Sequence, residues 1–344
     1  MSNLRFAVVG LGMGMVRAQQ VVDTPGAELV AIADLKPDRR KRAVDKWGVR
    51  AYDSFDDLLA AADSFDVAYI MTETGRHAAM GMAAARAGKH VISTKPLDIT
   101  VDRAAELCRV CDECGVRLLV DFQMRYTEAL QKAKAAMDQG FLGQPLFGEV
   151  KLKWWRGEDY YDGWHGTWEL DGGGSLMNQA VHFVDALTYV LGDVTEVFAY
   201  SGVHAHTNCA TEDMTNAVLR FANGAQGLIH TTTAYPGRQH DLVEIHGTNG
   251  AVGFDLEHLL RWEFQSPDAP AAPWNPQTGA VEGNAGPYDP PLTLPTLPTG
   301  AVADMVAVVR DDAEPVGPGW SGLRSVGIIE ACYRSAREGR AVGV

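Results

Sequence analysis

Three stretches of this 344-residue chain carry residue types at spacings that suit chemistry. The first is Lys95-Pro96, just after the short apolar run His90-Val91-Ile92-Ser93. Proline restricts the residue before it to extended backbone, so the lysine is held at a strand end. An ammonium there can stabilise an oxygen that gains negative charge. The second stretch is Asp171-Gly172-Gly173-Gly174-Ser175, which enters a helix-like run through Asp185. On a helix, Asn178 and His182 share one face and Asp185 lies three residues beyond. Histidine titrates near neutrality, so His182 with two polar partners is a candidate general base. The third stretch is Gly10-Leu11-Gly12-Met13-Gly14, directly after the apolar run Arg5 to Val9.

The elements around the glycines say what they hold. A strand runs into the turn, a helix follows, and a further apolar run, Glu28 to Ala33, ends at Asp34, 24 positions after Gly10. That is one strand–helix–strand unit with a dinucleotide pyrophosphate over the turn. Gly10 allows the bend, Gly12 lets the phosphates approach, and the helix N-terminus supplies N–H groups and a positive dipole end. Met15 occupies the position of the third glycine, and Gly14 falls one residue early. Asp34 can accept both hydroxyls of an adenosine ribose and repels a 2′-phosphate, which favours NAD over NADP. Lys36 and Arg39 just beyond it act against that preference and keep NADP as the alternative.

Strand-like and helix-like runs alternate as far as Phe122, which predicts a doubly wound parallel sheet. Its ligand lies beyond the C-terminal strand ends, where Thr72, Lys95 and Gln123 join Gly10 and Gly12. Met13 in the turn and His77 after Thr72 complete the expected cofactor residues. The predicted domains are 1–123 for the dinucleotide and 124–344 for substrate and self-association, with the C-terminal helix packing back on the first. In the latter domain, paired runs between Glu196 and Asp255, with Asn223-Gly224 and Asn249-Gly250 as hairpin turns, predict an open, mostly antiparallel sheet. Pro267 to Pro298 reads as a long loop.

Composition bounds the partners. Asp and Glu number 44 against 30 Lys and Arg, a formal charge of −14, which disfavours nucleic acid and anionic membrane. There is no leader-like or membrane-spanning run, so the cytoplasm is the expected location. Cys108, Cys111 and Cys114 lie three apart on a helix-like run, a core stripe rather than a metal cage. His204, His206 and Asp213 lack the spacing of a metal site, and no metal is expected. The aromatic segment Tyr160, Tyr161, Trp164, His165, Trp168 is either a packed loop or a wall against a sugar ring.

Together, the glycine turn, Lys95-Pro96 and the glycine run leading to His182 resemble the glucose–fructose oxidoreductase and inositol dehydrogenase (Gfo/Idh/MocA) family. Ala87-Gly88-Lys89-His90-Val91 and the closing Tyr333 to Arg340 extend the likeness over nearly the whole chain. The resemblance implies a Rossmann domain, a C-terminal α/β domain with an open sheet, NAD or NADP, and a homodimer or homotetramer built through that sheet. Lys95 matches the lysine of the Glu-Lys-Pro motif, His182 the catalytic histidine, and Asn178 the place where many members have aspartate. Thr94 replaces the motif's glutamate, Glu73 a usual proline, and Met15 the third glycine or alanine.

The implied activity is reversible oxidation of a secondary hydroxyl on a sugar, sugar derivative or cyclitol. His182 serves as acid/base, Lys95 steadies the alkoxide, and Asn178 positions the hydroxyl. Arg125, Tyr161, Trp164 and His165 are weaker candidates for substrate contact. Two alternatives are an NAD-retaining glycoside hydrolase that works by transient oxidation and elimination, and a non-enzymatic NAD-binding sensor.

Overall fold

A computed structural model describes residues 2–265, 272–275, 280–281, 288–290, 292 and 294–344. The chain forms two compact units, Met1–Phe122 with Leu297–Leu323, and Gln123–Thr296 with Arg324–Val344. The segment 297–323, which the sequence places with the second domain, clusters with the first. From Arg324 onward the chain belongs to the second unit.

The first unit is a sheet of six parallel strands: β1 (Leu4–Val9), β2 (Ala27–Ala33), β3 (Arg50–Tyr52), β4 (Val67–Ile70), β5 (His90–Thr94) and β6 (Leu118–Asp121). Their order is β3-β2-β1-β4-β5-β6, a Rossmann doubly wound sheet. The central strands are nearly continuous apolar runs because both faces are covered. Phe6, Val8, Ile32, Tyr69, Ile70 and Ile92 are fully buried. The short edge strand β3 is absent from the sequence reading, since three residues carry too little periodicity to mark it.

The helices are α1 (Gly14–Asp23), α2 (Pro37–Trp47), α3 (Phe55–Ala60), α4 (His77–Arg86) and α5 (Val101–Glu113). Ser54 caps α3 and Thr100 caps α5 through their side chains. Gly48 ends α2 in the left-handed region. Cys108 and Cys111 are buried on α5, and burial pushes both thiols up to about 12. They act there as small apolar side chains.

The second unit carries α6 (Glu128–Asp138) and α7 (Val181–Leu191) against one face of a mixed sheet. Its strands are β7 (Pro145–Lys153), β8 (Val194–Gly202), β9 (Met214–Phe221), β10 (Gln226–Thr232), β11 (His240–Gly247), β12 (Gly250–Phe254) and β13 (Leu259–Phe264). These lie in the order β13-β12-β11-β7-β10-β9-β8, antiparallel except where β7 meets β10. The pair Val342–Gly343 extends the sheet beyond β8, and Ala272–Asn275 and Ala280–Val281 extend it beyond β13. Gly148 on β7 lets α7 approach closely, since a Cβ there would lie 2.6 Å from Leu187 Cδ1 and 2.7 Å from Leu191 Cδ2. The expected loop Pro267 to Pro298 is described only in part, and the strands Ala272–Asn275 and Ala280–Val281 lie within it.

On β8, β9 and β10 the side chains facing the helices are buried, among them Val197, Leu219 and Ile229. The opposite face presents an apolar patch. Val218 is in register with Phe198 on one side and Leu228 on the other. Val218 is 50% exposed, Leu228 41% and neighbouring Tyr200 69%.

Candidate functional site

In the first unit the site is built mainly from backbone. Gly10 has φ +87°, and a Cβ there would lie 2.6 Å from the Met71 carbonyl oxygen. Only glycine meets both conditions. Gly12 is different: the nearest atom to a Cβ would be the Arg39 guanidinium at 3.7 Å, so the fold itself leaves that space open. Gly14 takes the packing role of the third glycine despite its early position. A Cβ would touch Val8 and Met71 at 3.3 Å, so its absence lets α1 lie close on the sheet. Exposed Met13 precedes α1 with no side-chain cap, and no acid occupies the first turn. The helix N-terminus therefore remains electropositive.

Asp34 is 8% exposed at the end of β2. Its Oδ2 accepts the Leu11 N–H at 2.6 Å and its Oδ1 accepts the Lys36 N–H at 2.7 Å. Arg39 approaches the same carboxylate at 3.5 Å. Asp34 thus ties the glycine turn to its own strand end and partly neutralises Arg39. The open space at Gly12, the uncapped α1 and the placed carboxylate together fit a dinucleotide.

Lys95 is half-buried, and its bond to Pro96 is cis. His77, expected at the cofactor, is buried beneath this bend. Its Nδ1 lies 2.8 Å from the Pro96 carbonyl and its Nε2 3.0 Å from the Thr72 carbonyl. Burial pushes the ring below the usual histidine range, against the pull of those two carbonyls. His77 therefore positions Thr72 and the Lys95-Pro96 bend. Behind it, Asp98 is fully buried, accepts the Ala78 N–H at 2.9 Å and pairs with Arg103. A further buried group carries no signal in the sequence. Arg17 on α1 donates to Asp121 at 2.7 Å and Tyr69 donates to the same oxygen at 2.6 Å, which fixes α1 to β4 and β6.

In the second unit the site is built from side chains. Ser175–Ala180 is a π-helical turn that passes directly into α7. The wide turn breaks the regular α-helical face expected for Asn178 and His182. Asp185, expected beside His182, is tied to Arg125. It is buried, and Arg125 donates to it through Nε at 2.8 Å and a terminal nitrogen at 2.6 Å. Arg125, expected at the substrate, is only 2% exposed and is structural. Gln123 is exposed at the start of a one-turn 3₁₀ helix, Gln123–Tyr126.

Asn178 is oriented by Asp171, which heads the glycine run and to which the sequence assigns no role in the site. Asn178 Nδ2 donates to Asp171 Oδ1 at 2.6 Å, which identifies the amide's nitrogen end. That nitrogen also lies 3.2 Å from His165 Nδ1. His165 Nδ1 must then accept, which leaves the ring proton on Nε2. The alternative, an Nδ1–H donating to Asp171, would span 3.6 Å and is too long. His165 stacks on Tyr160 at 4.1 Å with 12° between planes, and Trp164 lies 3.9 Å away on a tilted plane. Tyr161 turns inward instead: it is 5% exposed and its hydroxyl meets Thr233 Oγ1 at 2.7 Å.

Beneath this wall, Glu212 organises the glycine turn. Its carboxylate accepts the N–H groups of Gly174 at 3.0 Å and Leu176 at 2.8 Å. It also accepts the hydroxyls of Ser175 at 2.6 Å and Tyr333 at 3.0 Å. Burial still pushes Glu212 up to about 7, against those four donors. Gly174 cannot carry a side chain, since its Cβ would lie 1.8 Å from the Glu212 carbonyl oxygen. His206 and Asp213 pair at 3.0 Å, and Asp213 also accepts the N–H groups of His204, Ala205 and His206. The group is a loop clamp, and no set of three or more metal-ligating side chains is present among the described residues.

A six-stranded Rossmann sheet with the Gly10 turn and Asp34 fits a dinucleotide-binding protein. Residues 4–122 match the oxidoreductase family with an NAD-binding Rossmann fold, and 130–253 match the GFO/IDH/MocA C-terminal domain. The chain is 31% identical to the WlbA dehydrogenase of Bordetella pertussis, crystallised with NADH and UDP-GlcNAcA, with a TM-score of 0.85 and 99% of each chain covered. It is 26% identical to inositol 2-dehydrogenase of Rhizobium meliloti over 99% of each chain. It is also 26% identical to D-apiose dehydrogenase of Paraburkholderia graminis, over 93% of this chain and 84% of the relative. The chain belongs to the Gfo/Idh/MocA family of NAD-binding sugar and cyclitol dehydrogenases. No helix among the described residues is long and apolar enough to cross a membrane.

Proposed function

We propose that this protein reversibly oxidises a secondary hydroxyl of a sugar, sugar derivative or cyclitol. The observation that carries this reading is one chain holding both an NAD turn closed by Asp34 and a glycine-fed helix start with His182. Bound NAD supplies the hydride acceptor. Gly10, Gly12 and the α1 N-terminus hold its pyrophosphate, and Asp34 takes the ribose hydroxyls in preference to a 2′-phosphate. His182 removes the proton of the substrate hydroxyl, Lys95 stabilises the oxygen as charge develops, and Asn178 orients the hydroxyl. Trp164 and His165 face the ring. The apolar patch around Val218 is the surface on which another copy of the chain associates.

The test is NADH absorbance on incubation with NAD and a panel of sugars, inositols and glycosides. NADH growth with one polyol class is expected. Free sugar released from a glycoside without net NADH would replace this reading with a hydrolase. Lys95→Ala and His182→Ala should each lower turnover by about 10²- to 10⁴-fold while NAD affinity, read by fluorescence titration, holds. Turnover within about threefold of wild type in either variant would remove that residue from the chemistry.

A further inference from the structure

The aromatic wall of the second unit carries a cation that neither the motifs nor the proposed chemistry uses. Arg156 follows β7, and its backbone is fixed on both sides. Its N–H donates to the Thr233 carbonyl at 2.9 Å, and its own carbonyl lies 2.7 Å from His206 Nε2. The guanidinium lies 5.0 Å from the Trp154 ring centroid and 5.4 Å from that of Tyr160. Its hydrogen bond goes to the Trp155 carbonyl at 3.1 Å. In a chain with 44 acidic residues against 30 basic ones, no carboxylate among the described residues forms an ion pair with Arg156.

Arg156 is joined through one ring to the residues assigned to the substrate. Tyr160 stacks on His165, and the Tyr160 hydroxyl accepts from Gln179 Nε2 at 2.8 Å. Gln179 adjoins Asn178, which touches His165. A guanidinium backed by aromatic faces is partly desolvated and more weakly hydrated than an ammonium, which favours pairing with an anion. The oxygens of a carboxylate or phosphate match the guanidinium fork in two parallel hydrogen bonds.

We infer that Arg156 is a specificity residue that recognises an anionic substituent, a carboxylate or a phosphate ester, on the sugar or cyclitol substrate. This rests on the dehydrogenase reading above and narrows its substrate to acidic sugars. Tyr160 and His165 form the apolar side of the same subsite.

The experiment is calorimetric titration of the NAD-saturated protein with D-glucuronate, D-glucose 1-phosphate and D-glucose, with NADH formation followed in parallel. One or both acids should bind about tenfold or more tightly than glucose. Arg156→Gln should abolish that preference, and Arg156→Lys should keep part of it, with NAD affinity and the unfolding midpoint unchanged in both. The stronger of the two acids identifies the anion as carboxylate or phosphate. Glucose binding as tightly as the acids, a preference that survives Arg156→Gln, or no binding of either acid would overturn the inference. Acid binding without NADH would keep the anion subsite and remove the dehydrogenase reading. NADH from neutral sugars alone would keep that reading and remove the subsite.

Discussion

Each unit contains a glycine-rich turn, and the two turns work by different means. At Gly10 to Gly14 the backbone itself makes the site, with one carboxylate, Asp34, fastening it. At Gly172 to Gly174 the glycines make room for a buried side-chain network. Glu212, Ser175 and Tyr333 fill the space, and Asp171 then aims Asn178 and His165. A backbone site can accept any ligand with the right phosphate geometry. A side-chain network can be altered residue by residue, and that suits it to substrate choice.

The strongest way to break this comparison is to place the same methyl group in both turns. Gly174→Ala forces a Cβ onto the Glu212 carbonyl and should destabilise the second unit by about 3 kcal/mol or more, read by denaturant unfolding. Gly10→Ala strains φ +87° and crowds the Met71 carbonyl, so it should destabilise the first unit and weaken NAD together, whereas Gly174→Ala should leave NAD affinity near that of wild type. Equal stability of Gly174→Ala and wild type would show that the turn at Gly172 to Gly174 is not packed as described.

Glu212 offers a sharper probe. Burial holds it at about 7 against an ordinary 4.5, so the native state keeps a proton that the unfolded chain loses over this interval. Stability should therefore fall as pH rises from about 4.5 to 7, by about 3 kcal/mol, and level off above. Glu212→Gln should remove most of that slope whatever its own stability, as measured by denaturation at pH 5 and pH 8. A slope unchanged in the variant would place the titrating group elsewhere. In the first unit, Asp34→Ala strips the acceptor from the Leu11 and Lys36 N–H groups and should weaken NAD about 10- to 100-fold by fluorescence titration. NADP binding that improves at the same time would support the ribose role of Asp34.

The smallest expected effect lies on the open sheet face. Val218→Glu should shift the protein toward monomer in light scattering and change folding stability by only about 0.5 kcal/mol. A monomeric wild-type protein would remove the self-association role.

What is legible along the chain divides in the same way as the two turns. The strand–turn–helix unit, the alternation that builds the parallel sheet and the hairpins at Asn223 and Asn249 follow from neighbours along the chain. The packing role of Gly14 is hidden, because spacing alone does not say which residue meets the strand beneath. The strands β3 and β13 are likewise not marked by the pattern of residues. Arg125 and Asp185 suggest outward roles, since each is an ordinary polar residue until it is seen that they are 60 positions apart and bonded to one another. Tyr161 is lost to the core in the same manner. Asp171, directly before the glycine run, and Glu212, in the acidic pair Glu212-Asp213, are visible as residues but carry no signal of their partners.

What the sequence by itself determined is therefore the cofactor half: backbone geometry, helix polarity and a carboxylate at a fixed interval are local properties, set by adjacent residues. What only the tertiary structure decided is which polar side chains face one another. Glu212 meets Tyr333 across 121 positions, and Arg17 meets Asp121 across 104. No local propensity encodes such pairs. They are chosen when burial removes water and each polar group must find a partner or keep its contact with solvent.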